Sequence, residues 1–95
     1  MRTKAKRDIP EADIIDALEK VGITVTRVSS PGVPDTLLYS ESARLVWRGR
    51  EHVYLPAEVK GPRDRLTQAQ LVTRACMPFP VIKTVDDALA LVAVF

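Results

Sequence analysis

Cysteine and histidine are nearly missing from this chain: Cys76 and His52 are the single representatives of their types in 95 residues. One cysteine cannot build a disulfide framework, and one cysteine with one histidine cannot build a zinc-type site. A reducing, cytoplasmic setting fits this usage. Long apolar runs are missing too. The longest, 88–95, is far too short to cross a bilayer, so no membrane role is expected. The first seven residues are basic, but acids rather than an apolar run follow them, so no secretory signal is expected. There is no internal repeat and no low-complexity segment. Charge of one sign is scarce as well: 14 basic and 12 acidic residues leave a formal net charge of +2.

What is present describes one small folded domain, 46% hydrophobic and 27% charged. Residues 1–7 read as a flexible basic arm and 8–95 as the domain. The placement of charge says more than its sum. Lys4, Lys6 and Arg7 lie in the arm, and Arg44, Arg48, Arg50, Lys60, Arg63 and Arg65 flank or enter the region of Glu58. The acids gather at Asp8, Glu11, Asp13, Asp16 and Glu19, and at Asp86 and Asp87. A basic stripe beside carboxylates points to a polyanionic partner such as nucleic acid. A merely solvated face is the competing reading.

Asp8 as N-cap, Pro10 in the first turn and Glu11 three residues after the cap predict a helix start. Ile14, Ile15, Leu18 and Val21 form its apolar stripe, and Gly22 closes it. Glu11 stands at the N-terminal tip of that stripe, as a capping glutamate, as an acid aimed over the end of a sheet, or as both. Residues 23–28 alternate as a strand, 29–32 form a turn, and 33–39 form a second strand with Pro34 at its start. The stretch 44–47 fits a short strand or a helical turn, and 48–51 a turn. Residues 52–59 make the third main strand, in which Pro56 suggests an edge or a bulge. Val53, Leu55, Ala57 and Val59 share its core-facing parity, while Glu58 and Lys60 share the other.

After a basic loop at 61–65, Thr67 and Gln70 form a capping box with Leu66 and Leu71 as its staple. The helix runs to about Cys76 and is ended by Pro78 and Pro80. Residues 80–84 form a fourth strand, and Thr84 caps a last helix. The order αβββαβα implies an α/β fold with a central mixed sheet flanked by helices. Leu89, Leu91, Val92, Val94 and Phe95 make an apolar ending that motivates a homodimer. Cys76 is expected in the core, Trp47 in packing or at an interface, and His52 on a surface or half-buried strand.

The chemistry rests on Asp35 at one strand start and Glu58-Val59-Lys60 at another strand end. A hard cation such as Mg²⁺ (or Mn²⁺) takes oxygen ligands, usually one or two carboxylates with water and substrate phosphate. Asp35 and Glu58 supply two carboxylates, and the Val59 backbone carbonyl a third oxygen. Lys60 beside them would orient or deprotonate water, or neutralise developing charge. Arg63, Arg65 and the N-terminus of the helix carrying Gln70 would meet the phosphates next to the cut. Each piece has an ordinary explanation: a common Glu-Val-Lys, a Pro-Asp turn, a capping glutamine. Their ordered combination raises the chemical reading above these.

Gly32-Val33-Pro34-Asp35, Glu58-Val59-Lys60-Gly61-Pro62 and Leu66-Thr67-Gln68-Ala69-Gln70 together resemble the virus-type replication-repair nuclease (VRR-NUC) family of the PD-(D/E)xK nucleases. The resemblance spans roughly 11–92. It implies a restriction-endonuclease-like core and Mg²⁺- or Mn²⁺-dependent cleavage of DNA, with no small-molecule cofactor. It makes Asp35 and Glu58 metal ligands, Lys60 the catalytic lysine, Gln70 an active-site residue, and Glu11 an outer or second-metal acid. Arg48, Arg50, Arg63, Arg65 and the arm residues Lys4, Lys6 and Arg7 are the expected DNA contacts. Stand-alone members resemble Holliday-junction resolvases in being small and dimeric, which implies branched DNA as substrate. In such loops a glycine is common where Arg63 stands, and the stretch 41–52 is longer than in compact members. The competing readings are a general nickase, a nucleic-acid-binding module without turnover, and a salt-bridged core with an unrelated partner.

Overall fold

The chain order α-β-β-hairpin-β-α-β-α is laid out as a mixed sheet with helices packed on it. The computed structural model describes residues 11–30, 32–61 and 63–93. The arm with Lys4, Lys6 and Arg7, the cap at Asp8, Pro10 in the first turn, and Val94 and Phe95 lie outside them.

Helix α1 (Glu11–Lys20) buries Ile14 and Leu18, one turn apart, and turns its charged face outward. Its end is a full left-handed cap. Gly22, at φ +89°, donates to Glu19 O at 3.0 Å, and Ile23 donates to Leu18 O at 3.0 Å. Ile23 and Leu18 are both buried, which supplies the apolar contact that accompanies this cap. Strand β1 (Thr24–Arg27) then pairs antiparallel with β2 (Thr36–Tyr39).

The stretch left open between strand and helical turn is a strand. β3 (Leu45–Trp47) and β4 (Arg50–His52) form a separate hairpin through Arg48 and Gly49, both at positive φ (52° and 75°). That pair of dihedrals is the two-residue turn whose twist matches the flanking strands. Arg48 lies over the Trp47 ring at 4.5 Å. The third main strand is accordingly shorter than expected: β5 covers Tyr54–Val59, and Val53 is exposed at the bend between β4 and β5.

β5 sits inside the four-stranded sheet, in the order β1-β2-β5-β6. It pairs antiparallel with β2 and parallel with β6 (Val81–Ile82), reached through helix α2 (Gln68–Cys76). Pro56 is tolerated in this interior strand for a reason of length. Glu58 and Lys60 donate toward β6, to Pro80 O and Ile82 O at 3.0 Å each, and Pro56 shares their parity. Its missing N–H falls beyond the end of the two-residue β6.

The core joins Ile14, Leu18 and Ile23 to Leu38, Leu55, Ala57, Val59 and Ile82 of the sheet, and to Ala88 of α3 (Val85–Leu89). Thr84 and Asp87 cap α3 with a reciprocal box. The hairpin is tied down by Leu45, fully buried, which bridges Val92, while Val46 N–H meets Leu91 O at 2.7 Å. Leu91 and Val92 are thus spent on the chain's own core. They do not form the apolar dimer surface expected of the ending. Cys76, expected inside, is exposed. Among the described residues no helix is long and apolar enough to cross a membrane.

Candidate functional site

Asp35 precedes β2 by one residue, and Glu58 and Val59 end β5, so the register Thr36↔Ala57 sets them at the same end of the sheet. Asp35 N–H donates to Glu58 Oε1 at 3.0 Å. In return, Val59 N–H donates to Asp35 Oδ1 at 3.1 Å, and the Thr36 hydroxyl donates to the same oxygen at 2.8 Å. Lys60 Nζ lies 3.2 Å from Glu58 Oε2. The strand-parity expectation for Glu58 and Lys60 therefore ends in direct contact. The Glu58 side chain is only 3% exposed and that of Lys60 16%, so the pair sits where water screens it little.

The chain reaches this geometry through Gly32. Its φ is +81°, and a Cβ built there would lie 3.3 Å from Ala69 Cβ on α2. A side chain at this position would be strained and would push against the first turn of the helix. Thr67 caps that turn: Gln70 N–H donates to Thr67 Oγ1 at 3.1 Å, and Thr67 N–H to Gln70 Oε1 at 2.9 Å. Gln70 is the only buried residue of α2 and shares a cleft of about 450 Å³ with Asp35, Ser29 and Ser30. Its oxygen being spent on the cap, the amide NH₂ is the group Gln70 offers this cleft.

The structure thus brings together Asp35, Glu58, Val59, Lys60 and Gln70. It separates others. Glu11 pairs with Arg27 Nη1 at 2.6 Å, one strand away from Asp35 across the β1–β2 register. Among the described residues no third His, Cys, Asp or Glu joins Asp35 and Glu58. Arg44 is committed elsewhere, donating to Val21 O at 2.9 Å behind α1. Arg48 and Arg50 sit on the hairpin. β2 runs from Asp35 to Tyr39, the hairpin follows, and β5 returns to Glu58, so the hairpin marks the opposite end of the sheet. Arg63 and Arg65 are exposed in the loop that leaves the site.

Two cations near the site escaped the sequence reading. Arg74 of α2 and Lys83 after β6 line a groove with Lys60 and Arg65. The readable signal for Lys83 was parallel pairing: with Val59 opposite Ile82, Lys60 and Lys83 are the next residues on adjacent strands. Arg74 lies four residues beyond Gln70, on the same side of the helix.

The donor set suits a hard cation. Both acids present oxygens at one strand end, and in an extended strand the C=O of Val59 projects to the same edge as its N–H, which meets Asp35. Water and a phosphate would fill the remaining positions, as is usual for Mg²⁺. No protein-family model matches the chain, and no curated protein or solved structure does either.

Proposed function

We propose that this chain is a metal-dependent DNA endonuclease of the restriction-endonuclease-like class. The observation that carries the reading is the reciprocal bonding of Asp35 with Glu58 and Val59, with Lys60 in contact with Glu58. It joins the two halves of the motif across 23 residues. The order αβββαβα, with the β3–β4 hairpin as an insertion, supports the same reading.

Asp35, Glu58 and the Val59 carbonyl would hold Mg²⁺ or Mn²⁺. Such an ion, when bound, supplies positive charge at the phosphoryl oxygens and acidifies water. Lys60 stands beside the ligands, where it would orient or deprotonate the attacking water, or neutralise developing charge. The Gln70 amide positions substrate or water from the α2 side. Arg63 and Arg65 meet backbone phosphates.

A branched DNA cut symmetrically needs two copies related by a two-fold axis, since one domain carries one site. We include a homodimer acting on four-way junctions in the proposal. Light scattering that finds a monomer at micromolar concentration removes it, and equal cutting of plain duplex makes the enzyme a general nickase instead.

The decisive experiment incubates purified protein with branched and linear DNA, with and without Mg²⁺. The reading predicts metal-dependent cleavage that Asp35→Ala abolishes. No cleavage of any DNA, or cleavage that survives the substitution, refutes it. A second reading is favoured by one fact: Asp35, Thr36, Glu58 and Lys60 satisfy one another without a ligand. A purely structural plug of this kind predicts no change in melting temperature on adding Mn²⁺, whereas a metal site raises it.

A further inference from the structure

The groove on the Lys60 side of the carboxylates collects four cations from four segments: Lys60 after β5, Arg65 of the loop, Arg74 of α2 and Lys83 after β6. Leu66, Leu71 and Val81 supply its apolar wall, and its volume is about 420 Å³. Its one acid, Asp64, is turned onto Gly61 N–H at 3.0 Å. Arg74 is held in place: its Nε donates to Phe79 O at 3.0 Å, and its guanidinium lies over the Phe79 ring at 5.7 Å. That anchoring uses Nε and leaves the two Nη groups as donors. The cleft on the other side of the carboxylates, with Asp35 and Gln70, has no Lys or Arg among its described lining residues.

Lys60 is paired with Glu58 Oε2 at 3.2 Å, which leaves Arg65, Arg74 and Lys83 as like charges gathered in one groove, and these repel until an anion enters it. The mixture of cations with an apolar wall matches a phosphodiester chain, which offers phosphates and the apolar faces of sugars in alternation. An unbranched carboxylate would leave the wall unused. We propose that this groove binds the DNA backbone on one side of the bond being cut, with Arg74 and Lys83 on a phosphate and Leu66, Leu71 and Val81 against the adjoining sugar. The substrate is gripped asymmetrically: on the Lys60 side by charge, on the Gln70 side without it. This rests on the nuclease reading of Asp35 and Glu58.

The test measures binding of a fluorescein-labelled DNA duplex by anisotropy in EDTA, across a series of KCl concentrations. No metal and no cleavage enter this readout. Lys83→Ala and Arg74→Gln are each expected to weaken binding and to lower the slope of log K against log salt by about 0.9. Arg74→Lys keeps the charge and is expected to keep the slope. The comparator is Arg48→Ala/Arg50→Ala, on the hairpin at the far end of the sheet, expected to leave the slope where it was. Lys83 is partly exposed, so Lys83→Ala and Lys83→Glu decide the matter if Arg74→Gln fails to fold. An unchanged slope in the Lys83 variants, an equal loss in the hairpin variant, or no salt-dependent binding by the wild type overturns the proposal. Binding through the groove without cleavage in Mg²⁺ upholds the groove and removes the nuclease reading. Cleavage by an enzyme indifferent to Lys83 does the reverse.

Discussion

Asp35 and Glu58 hold each other in place through backbone as well as side chain: the Asp35 N–H meets Glu58 Oε1 at 3.0 Å, and Asp35 Oδ1 receives the N–H of Val59 at 3.1 Å. Each carboxylate orients the chain segment that carries the other. A substitution at either position therefore acts on geometry and on chemistry, and the two effects need separate measurements.

Asp35→Asn keeps an oxygen that can accept from Val59 N–H and Thr36, so the fold is expected to survive. Under the nuclease reading the loss of charge lowers the cleavage rate at least about 100-fold, on the order of 3 kcal/mol of transition-state stabilisation. Melting temperature by circular dichroism and cleavage in Mg²⁺ separate the two. A variant that still cuts at the wild-type rate is incompatible with Asp35 as a ligand.

Lys60→Met leaves Glu58 buried without its partner. Removing one member of a buried pair costs about 3 kcal/mol or more, whereas replacing both by neutral groups of similar size costs far less. Urea denaturation should show Lys60→Met as strongly destabilised and Glu58→Gln/Lys60→Met as closer to wild type than the sum of the single changes. Additive losses would mean that the 3.2 Å contact couples the residues weakly.

Gly32→Ala meets two obstacles, a φ of +81° and a Cβ 3.3 Å from that of Ala69. The backbone term alone is about 1 kcal/mol or more. The approach of α2 to Asp35 depends on the same spacing, so activity is expected to fall with stability. A melting temperature equal to wild type would show that the turn can rearrange.

Ala43→Gly should act in the opposite direction. Ala43 stands at φ +57°, next to the Ser40 hydroxyl that accepts Arg44 N–H at 3.0 Å. Glycine relieves the left-handed strain, for a gain of up to about 1 kcal/mol in thermal or urea unfolding. Lower stability would show that the greater freedom of glycine in the unfolded chain outweighs that strain.

Leu91→Ala removes a core side chain and should cost about 2–4 kcal/mol in urea. The exposed Leu89 should tolerate the same change within about 0.5 kcal/mol. If Leu91 instead governs association, its replacement will change the mass measured by light scattering before it changes stability.

The local features were legible because they are written in neighbouring residues. The capping boxes at Thr67–Gln70 and Thr84–Asp87 need only a spacing of three, and both are present. The Gly22 helix stop and the side-by-side placement of Glu58 and Lys60 follow from helix and strand periods. What depended on partners distant in sequence was not legible. Leu91 and Val92 look like a surface until Leu45 of the hairpin covers them, and Cys76 looks like core although α2 buries only Gln70. The basic residues near Glu58 in sequence were divided by the turn of the chain: Arg48 and Arg50 go to the far end, while Arg74 and Lys83 arrive beside Lys60. The sequence by itself determined the helix caps, the strand parities and the identity of the acid–lysine set. Only the tertiary structure decided which cations face that set, because parallel pairing of β5 with β6 and the docking of α2 are contacts between segments that no local period encodes.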